Sequence, residues 1–344
     1  METILAVAVR AAVNQWKLTT TLDERVAQLA TPLVSAAMLG AFVEQRLLTA
    51  GVMPGTVRQQ VLTTPFVLLE AVFDPTELAD TPIAFNPVPD TVATVDARAA
   101  ALAVHAVLKL ETVSYGTENE GNLFVNLVVM PGKGQFARKS KRSLRGHTDA
   151  VSFPLNGEDS AEDARIAPSP DVVTLIGLRN PHQVPTTVMA LTEVLERMDP
   201  DDIAELKKRQ FSMNSQLTFE EGMRELWEDP LVAHEEAVLT DVDGRTHVRY
   251  SHKNVVPTDL AAQRPREASN NFESACNAVA EGVVIKPGDI LLVSNRIGLH
   301  GRGDPGDEVG GVSRWLLRTY ALDTTELPMQ KRHMGDLPAH VLYP

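Results

Sequence analysis

A histidine and a carboxylate stand two residues apart in Gly146-His147-Thr148-Asp149, and a lone His300 lies far downstream. On an extended segment side chains alternate, so His147 and Asp149 share a face and can converge on one ion. A further histidine would complete a facial triad of two imidazoles and one carboxylate. Such a set leaves metal positions open, which suits Fe(II) oxidation chemistry rather than a closed structural zinc site. Spacing alone does not decide the matter, because 9 histidines and 45 acids in 344 residues give about one His-X-acid match by chance. The rival match, His234-Glu235-Glu236, follows Pro230 in a polar segment and reads as a solvated loop or helix start. His147 instead follows a glycine and opens His-Thr-Asp-Ala-Val-Ser-Phe-Pro.

The distal half adds more. Pro287-Gly288-Asp289 makes a turn, Ile290 to Ser294 reads as a strand, and His300 follows in Asn295-Arg-Ile-Gly-Leu-His-Gly-Arg. Arg314-Trp-Leu-Leu-Arg318-Thr then reads as a strand whose two arginines point to the same side. Guanidinium groups on an apolar strand need anionic partners, either ligand carboxylates or structural acids such as Asp304, Asp307 and Glu308.

The elements that must carry these groups are legible in outline. Thr21 to Ala50 has helical spacing and reads as one long helix or a helical pair, and Asp96 to Leu108 as another helix. His105, among Ala and Val, reads as a buried structural histidine. Strand-like runs follow at Leu123 to Met130, Val172 to Leu178, Thr246 to Ser251, Gly282 to Ile285, Ile290 to Ser294 and Arg314 to Leu322. Thr187 to Phe211 reads as helical with a restart at Asp199 to Asp202, and Asn270 to Ala280 as a further helix. The pattern predicts a helical N-terminal third on an antiparallel β core with helical insertions.

Composition sets the bounds. Lys plus Arg at 32 against Asp plus Glu at 45 gives a net charge of -13, which argues against nucleic acid or an anionic membrane as partner. The single Cys276 excludes an internal disulfide framework and fits a reducing compartment. The apolar run Ile4 to Val13 is short and interrupted by Arg10, so a soluble, cytoplasmic protein is expected. A homo-oligomer is left open.

From about Tyr115 to Ala321, the set His147-X-Asp149, Asn295-Arg-X-X-X-His300-Gly-Arg and Arg314-Trp-Leu-X-Arg318-Thr resembles the clavaminate synthase-like branch of the Fe(II)/2-oxoglutarate-dependent oxygenases. Within Arg145 to Val188, Ser152-Phe-Pro-Leu-Asn-Gly-Glu-Asp and Leu178-Arg-Asn-Pro-His-Gln-Val-Pro-Thr are most similar to free amino-acid hydroxylases of the lysine type. The resemblance implies a mainly β fold with flanking helices, built on a double-stranded β-helix or jelly-roll core. One domain would cover 1–344, with the helical part at about 1–110, the jelly roll at about 111–325 and a tail at 326–344.

By the same resemblance, His147, Asp149 and His300 ligate Fe(II), and Arg314 with Thr187 binds 2-oxoglutarate. Arg318 would clamp the substrate α-carboxylate and Glu118 would meet the α-amino group. Glu120, Glu158, Asp159 and Glu162 are candidates for a side-chain ammonium, and Asn254 falls where relatives place substrate contacts. The implied reaction is O2-dependent hydroxylation of a free L-amino acid, with L-lysine at C3 or C4 the expected substrate and succinate and CO2 released. Asp149 argues for hydroxylation, since related halogenases carry a small residue there. Arginine, another amino acid or a carrier-bound substrate, desaturation or cyclisation, and a jelly-roll binding protein without turnover are the alternatives. The acidic insert Asn156 to Ala167 departs from the family pattern and is a candidate lid. The basic run Arg138-Lys-Ser-Lys-Arg142 reads as a solvated loop, with attraction of anionic ligands the alternative.

Overall fold

Ala, Leu and Val recur at three- and four-residue spacing through the first fifty residues. That spacing winds into helix in the computed structural model, which describes residues 1–158, 163–242, 244–332 and 337–344. Four helices come first: α1 (Glu2–Thr19), α2 (Leu22–Leu29), α3 (Pro32–Thr49) and α4 (Pro54–Thr63). The stretch from Thr21 to Ala50 is thus a helical pair. The Thr21 hydroxyl accepts from the Glu24 amide while the Glu24 carboxylate accepts from the Thr21 amide, a capping box that starts α2. Pro32 opens α3, where its missing N–H costs nothing.

β1 (Phe66–Leu69) follows, and then α5 (Val92–Val107), which a second capping box starts at Thr91. β2 (Glu111–Tyr115), β3 (Val125–Val128), the short α6 (Gln135–Ser140) and β4 (Leu144–His147) come next. β5 (Val172–Arg179) and β6 (Thr186–Ala190) lead to α7 (Leu191–Glu196) and α8 (Pro200–Leu206). Then come β7 (Phe211–Asn214), α9 (Leu217–Leu226), β8 (Val232–Glu236), β9 (Leu239–Val242), β10 (Arg245–Val248) and β11 (Val255–Pro257). The last elements are α10 (Gln263–Val279), β12 (Glu281–Val283), β13 (Ile290–Ser294), β14 (Gly298–Arg302), β15 (Trp315–Leu322) and β16 (Val341–Leu342).

Two antiparallel sheets carry the architecture. The larger runs β1-β13-β5-β15-β2-β16 with β3 also on β15, and only its β2–β16 edge is parallel. The smaller runs β12-β6-β14-β4. Val188 from the smaller sheet shares a buried cluster with Val173, Leu175, Leu291, Val293 and Leu316 from the larger, so the sheets pack face to face as in a jelly roll. On its other face the larger sheet meets the N-terminal helices, where Leu5, Val9, Trp16, Leu39 and Leu102 pack with Ile176, Leu292, Trp315 and Leu317. The helical third is therefore not separate from the β core. It also donates β1, which pairs with β13 from Phe66 opposite Val293 to Leu69 opposite Ile290.

Two expectations are corrected. The fold is mixed rather than mainly β, because ten helices lie among the described residues and α7, α8 and α10 cover one end of the smaller sheet. Thr187 does not start a helix. Thr186 to Ala190 is strand, since the β-branched Thr-Thr-Val fits the pleat and pairs with β14 on one side and β12 on the other.

His105 on α5 is fully buried between two sheet hydroxyls, Nδ1 at 2.8 Å from Thr112 Oγ1 and Nε2 at 2.7 Å from Thr174 Oγ1. Burial pushes its pKa from 6.5 down to about 3. The folded protein therefore keeps this ring neutral while the unfolded chain takes up a proton below pH 6.5. Its contribution to stability is complete above that pH and is lost as pH falls from 6.5 towards 3. His105→Gln should remove about 1.4 kcal/mol per pH unit of that acid sensitivity. Urea unfolding at a series of pH values below neutrality measures it, and an unchanged slope would refute the assignment.

Candidate active site

β4 and β14 pair so that His147 lies directly opposite His300. Their rings are 4.4 Å apart between centroids, and Asp149, just past the end of β4, turns its carboxylate between them. Asp149 Oδ1 is 3.6 Å from His147 Nε2 and Oδ2 is 3.8 Å from His300 Nε2. One donor atom from each residue falls within 4.8 Å of the others, and no second such cluster occurs among the described residues. His234 is exposed on β8 rather than in a loop, with Nδ1 at 3.3 Å from Ser212 Oγ, and is remote from this group.

The local packing holds the donors in a ligating form. His147 Nδ1 lies 2.9 Å from the Arg145 carbonyl, which can only accept, so Nδ1 carries the proton and Nε2 keeps its lone pair for an ion. Asn295 locks the Asp149 backbone from both sides: its Oδ1 accepts from the Asp149 amide at 2.8 Å and its Nδ2 donates to the Asp149 carbonyl at 2.9 Å. Gln216 adds a third hold, accepting from the Ala150 amide at 2.7 Å with Nε2 at 3.5 Å from Asp149 Oδ1. Gly301 lets the strands approach, since a Cβ there would sit 2.4 Å from the Leu144 carbonyl.

Burial pushes His300 down to about 3 and also lowers His147, so both imidazoles are neutral at pH 7. Burial works against the Asp149 carboxylate, but His300, His147, Arg318 and Lys139 outweigh it and hold the group at about 2. Two neutral imidazoles and an ionised carboxylate are the donor set an Fe(II) ion takes with positions to spare.

A cavity of about 120 Å³ opens beside the triad, walled by Phe85, Leu127, Val128, Phe136 and Leu175 on its apolar side. Arg302, Arg314 and Arg318 reach into it. Arg318 is taken up by the buried Glu118 at 2.7 Å and lies over the Tyr320 ring. Burial opposes its charge, but Glu118 more than offsets this and raises its pKa. Arg302 donates to the carbonyls of Lys139, Ser140 and Arg142. Arg314 has neither ion pair nor side-chain hydrogen bond among the described residues, although it is only 5% exposed. Burial pushes its pKa down to about 9. An unpaired buried guanidinium is costly, and its fork geometry suits an anionic ligand.

The other expected residues divide. Thr186, not Thr187, lines the cavity; it pairs with Arg302 on the face that carries His300, and Thr187 lies on the opposite face. Reading that stretch as helix removed the alternation that distinguishes the two. Glu118 is buried at the site, whereas Glu120 is exposed on a turn. Glu158 caps its own turn by accepting from the Leu155 amide, and Asp159 and Glu162 lie outside the described residues. Asn254 lies in an outer groove next to His147, but its amide is engaged, donating to the Ser215 carbonyl at 2.7 Å with Oδ1 at 3.1 Å from Ser251 Oγ. The described part of the insert Asn156 to Ala167 lines neither cavity nor groove. Asn295, Gln216, Arg302 and Lys139 carry roles that spacing did not reveal.

Solved structures place this architecture. A structure of asparagine oxygenase in complex with Fe(II), (2S,3S)-3-hydroxyasparagine and succinate matches with a TM-score of 0.70 at 20% identity, over 99% of this chain and 97% of that one. Non-heme iron oxygenase OrfP in complex with Fe, succinate and (3S)-hydroxy-L-Arg matches at 0.71 and 18%, over 98% and 97%. OrfP with Fe and α-ketoglutaric acid matches at 0.70 and 17%, again over 98% and 97%. The chain shares its fold with these oxygenases. No protein-family model and no curated sequence matches the protein.

Within this oxygenase fold, Arg314 makes a prediction. Arg314→Gln removes an unpaired buried charge, so the ligand-free protein should keep or gain stability in urea unfolding. On the role that the sequence resemblance implies for Arg314, affinity for 2-oxoglutarate, by titration calorimetry, should fall roughly 10- to 100-fold. Unchanged affinity would show that the guanidinium serves some other ligand.

Proposed function

We propose that this protein is an Fe(II)- and 2-oxoglutarate-dependent oxygenase that hydroxylates a free amino acid. The observation that carries the reading is the junction of two features in one cavity, a neutral-imidazole and carboxylate triad and the unpaired Arg314 beside it. The first fits an open-sided ferrous ion and the second a dicarboxylate. The resemblance in fold to oxygenases solved with hydroxylated asparagine and arginine supports the substrate class.

In this reading His147, Asp149 and His300 hold the ion, and Arg314 takes the distal carboxylate of 2-oxoglutarate with the Thr186 hydroxyl on the same wall. When bound, iron and 2-oxoglutarate supply the oxidising power, converting O2 and cosubstrate into succinate, CO2 and one oxygen atom for the substrate. The protein's share is placement. Arg318, whose Nε–H has no partner among the described residues, faces the substrate α-carboxylate, and Glu118, anchored on Arg318, offers its carboxylate to the α-ammonium. The apolar wall excludes water, which strengthens both clamps and suppresses side reactions. Asn295 and Gln216 keep Asp149 from rotating away from the imidazoles.

L-Lysine gains no support from the walls. Among the described residues that line the cavity, the only carboxylate is the ligand Asp149, so nothing there awaits a second ammonium. Succinate release by the Fe(II)-loaded protein over the twenty amino acids, with product mass, tests the proposal. One amino acid should raise turnover well above background and gain one oxygen atom. Asp149→Ala should lose bound iron by metal analysis and, with it, coupled turnover. Retention of both would remove the triad from the mechanism.

A further inference from the structure

The cavity communicates with the surface through an outer groove of about 610 Å³, and Lys139, Leu144, His147 and Gln216 are walls of both. The groove is strongly cationic in a protein whose net charge is -13. Arg138, Lys139 and Arg142 reach it from α6 and the turn that follows, and Arg145, His252 and Lys253 from the opposite rim. The carboxylates nearby are already engaged. Glu220, the one acid lining the groove among the described residues, pairs with Arg224 at 2.8 Å, and Glu273 behind it takes up both Arg145 and His252.

Assigning each cation leaves a remainder. In the inner cavity Arg318 has Glu118, Arg302 has three carbonyls, and Arg314 is the seat for the cosubstrate. Lys139 also lines this cavity, beside the triad, and no described side chain or carbonyl accepts from its ammonium. Among the described residues, Arg138, Arg142 and Lys253 are likewise without side-chain partners further out. A substrate held by its α-groups at Arg318 and Glu118 must extend its side chain past the triad, and the way out passes Lys139. A cationic side chain would meet like charge there, with the triad's Asp149 the one carboxylate lining the cavity among the described residues, whereas a carboxylate would find a half-buried ammonium in wait.

We infer that the substrate is an amino acid with an anionic side chain, its distal carboxylate bound by Lys139 at the junction of cavity and groove. This deepens the proposed function and rests on it. One C–H bond in the substrate's side chain is replaced by C–OH, one atom of O2 enters the product, and the other enters succinate as 2-oxoglutarate loses CO2. Lys139 is a specificity-determining residue, and Arg138 and Arg142 raise the local concentration of the acid.

The test uses the full-length, Fe(II)-loaded protein with L-aspartate, L-glutamate and L-2-aminoadipate, their amides L-asparagine and L-glutamine, and L-lysine and L-arginine. One of the acids should exceed its amide and both basic amino acids by about tenfold or more in kcat/KM. Lys139→Gln should raise KM for that acid by about tenfold or more while KM for 2-oxoglutarate stays within about twofold, and Lys139→Arg should restore part of the loss. Anaerobic titration calorimetry should give the same order for Kd. Preference for an amide or a basic amino acid overturns the inference, as does a Lys139→Gln effect on KM for 2-oxoglutarate alone, which would make the lysine a cosubstrate ligand. An acid that binds through Lys139 but yields no hydroxylated product would refute the proposed reaction and leave the recognition standing. If no amino acid binds or turns over while 2-oxoglutarate still binds, both fail.

Discussion

Everything at this site depends on the register between β4 and β14. His147 faces His300 across one antiparallel pair, and a slip of one residue would turn one imidazole to the far side of the sheet. The register is set by close contacts that tolerate no side chain. A Cβ on Gly301 would lie 2.4 Å from the Leu144 carbonyl oxygen and 3.1 Å from the Arg145 carbonyl carbon, both of them backbone atoms of the facing strand. Asp149 comes after the paired segment, so the ladder does not fix it. Asn295, from the turn that joins β13 to β14, reaches back and takes both its backbone groups. The turn between the strands thereby transmits the position of one ligand to another.

The charge distribution follows a second constraint. A protein with a large excess of acids gathers Arg302, Arg314, Arg318 and Lys139 into one cavity, against the self-repulsion and desolvation that this entails. Within the fold these costs are only partly offset, since Glu118 answers Arg318 and carbonyls answer Arg302. Among the described residues, Arg314 is left without a partner. Buried guanidinium groups without partners persist where a ligand supplies the missing charge.

The sequence made the chemistry legible before the topology. The pair His147 and Asp149, the single His300 and the same-facing arginines are separated by more than 150 residues, yet their types and local patterns suffice to group them. The α5 helix and strands β5, β13 and β15 are also legible, because long apolar runs bounded by turns carry a clear period. The short strands are not. β6 was masked by its continuity with the helical α7, and with it the choice between Thr186 and Thr187 was lost. β8 carries the exposed His234 in a polar segment that reads as loop, because an edge strand facing water has no apolar alternation to mark it. Asn295 and Gln216 act through backbone groups of a distant segment, and such contacts leave no trace in local spacing.

Reaction and recognition are built on different parts of the fold. His147, His300, Arg314 and Arg318 stand on or at the ends of strands in the two sheets, where packing on both sides holds side chains in place. The groove beyond them sets α6, its following turn, the start of α9 and the segment Ser251 to Asn254 against strand β4. Changes of charge in those segments alter which side chain is received without moving a metal donor. A triad and clamp matched to an amino acid's α-groups are therefore compatible with asparagine, arginine or an acid at the far end. On the proposed reading, the charge of α6 rather than the triad would set which side chain is received. The basic run from Arg138 to Arg142, which as sequence reads as a solvated loop, becomes informative once the fold sets it against the cavity mouth.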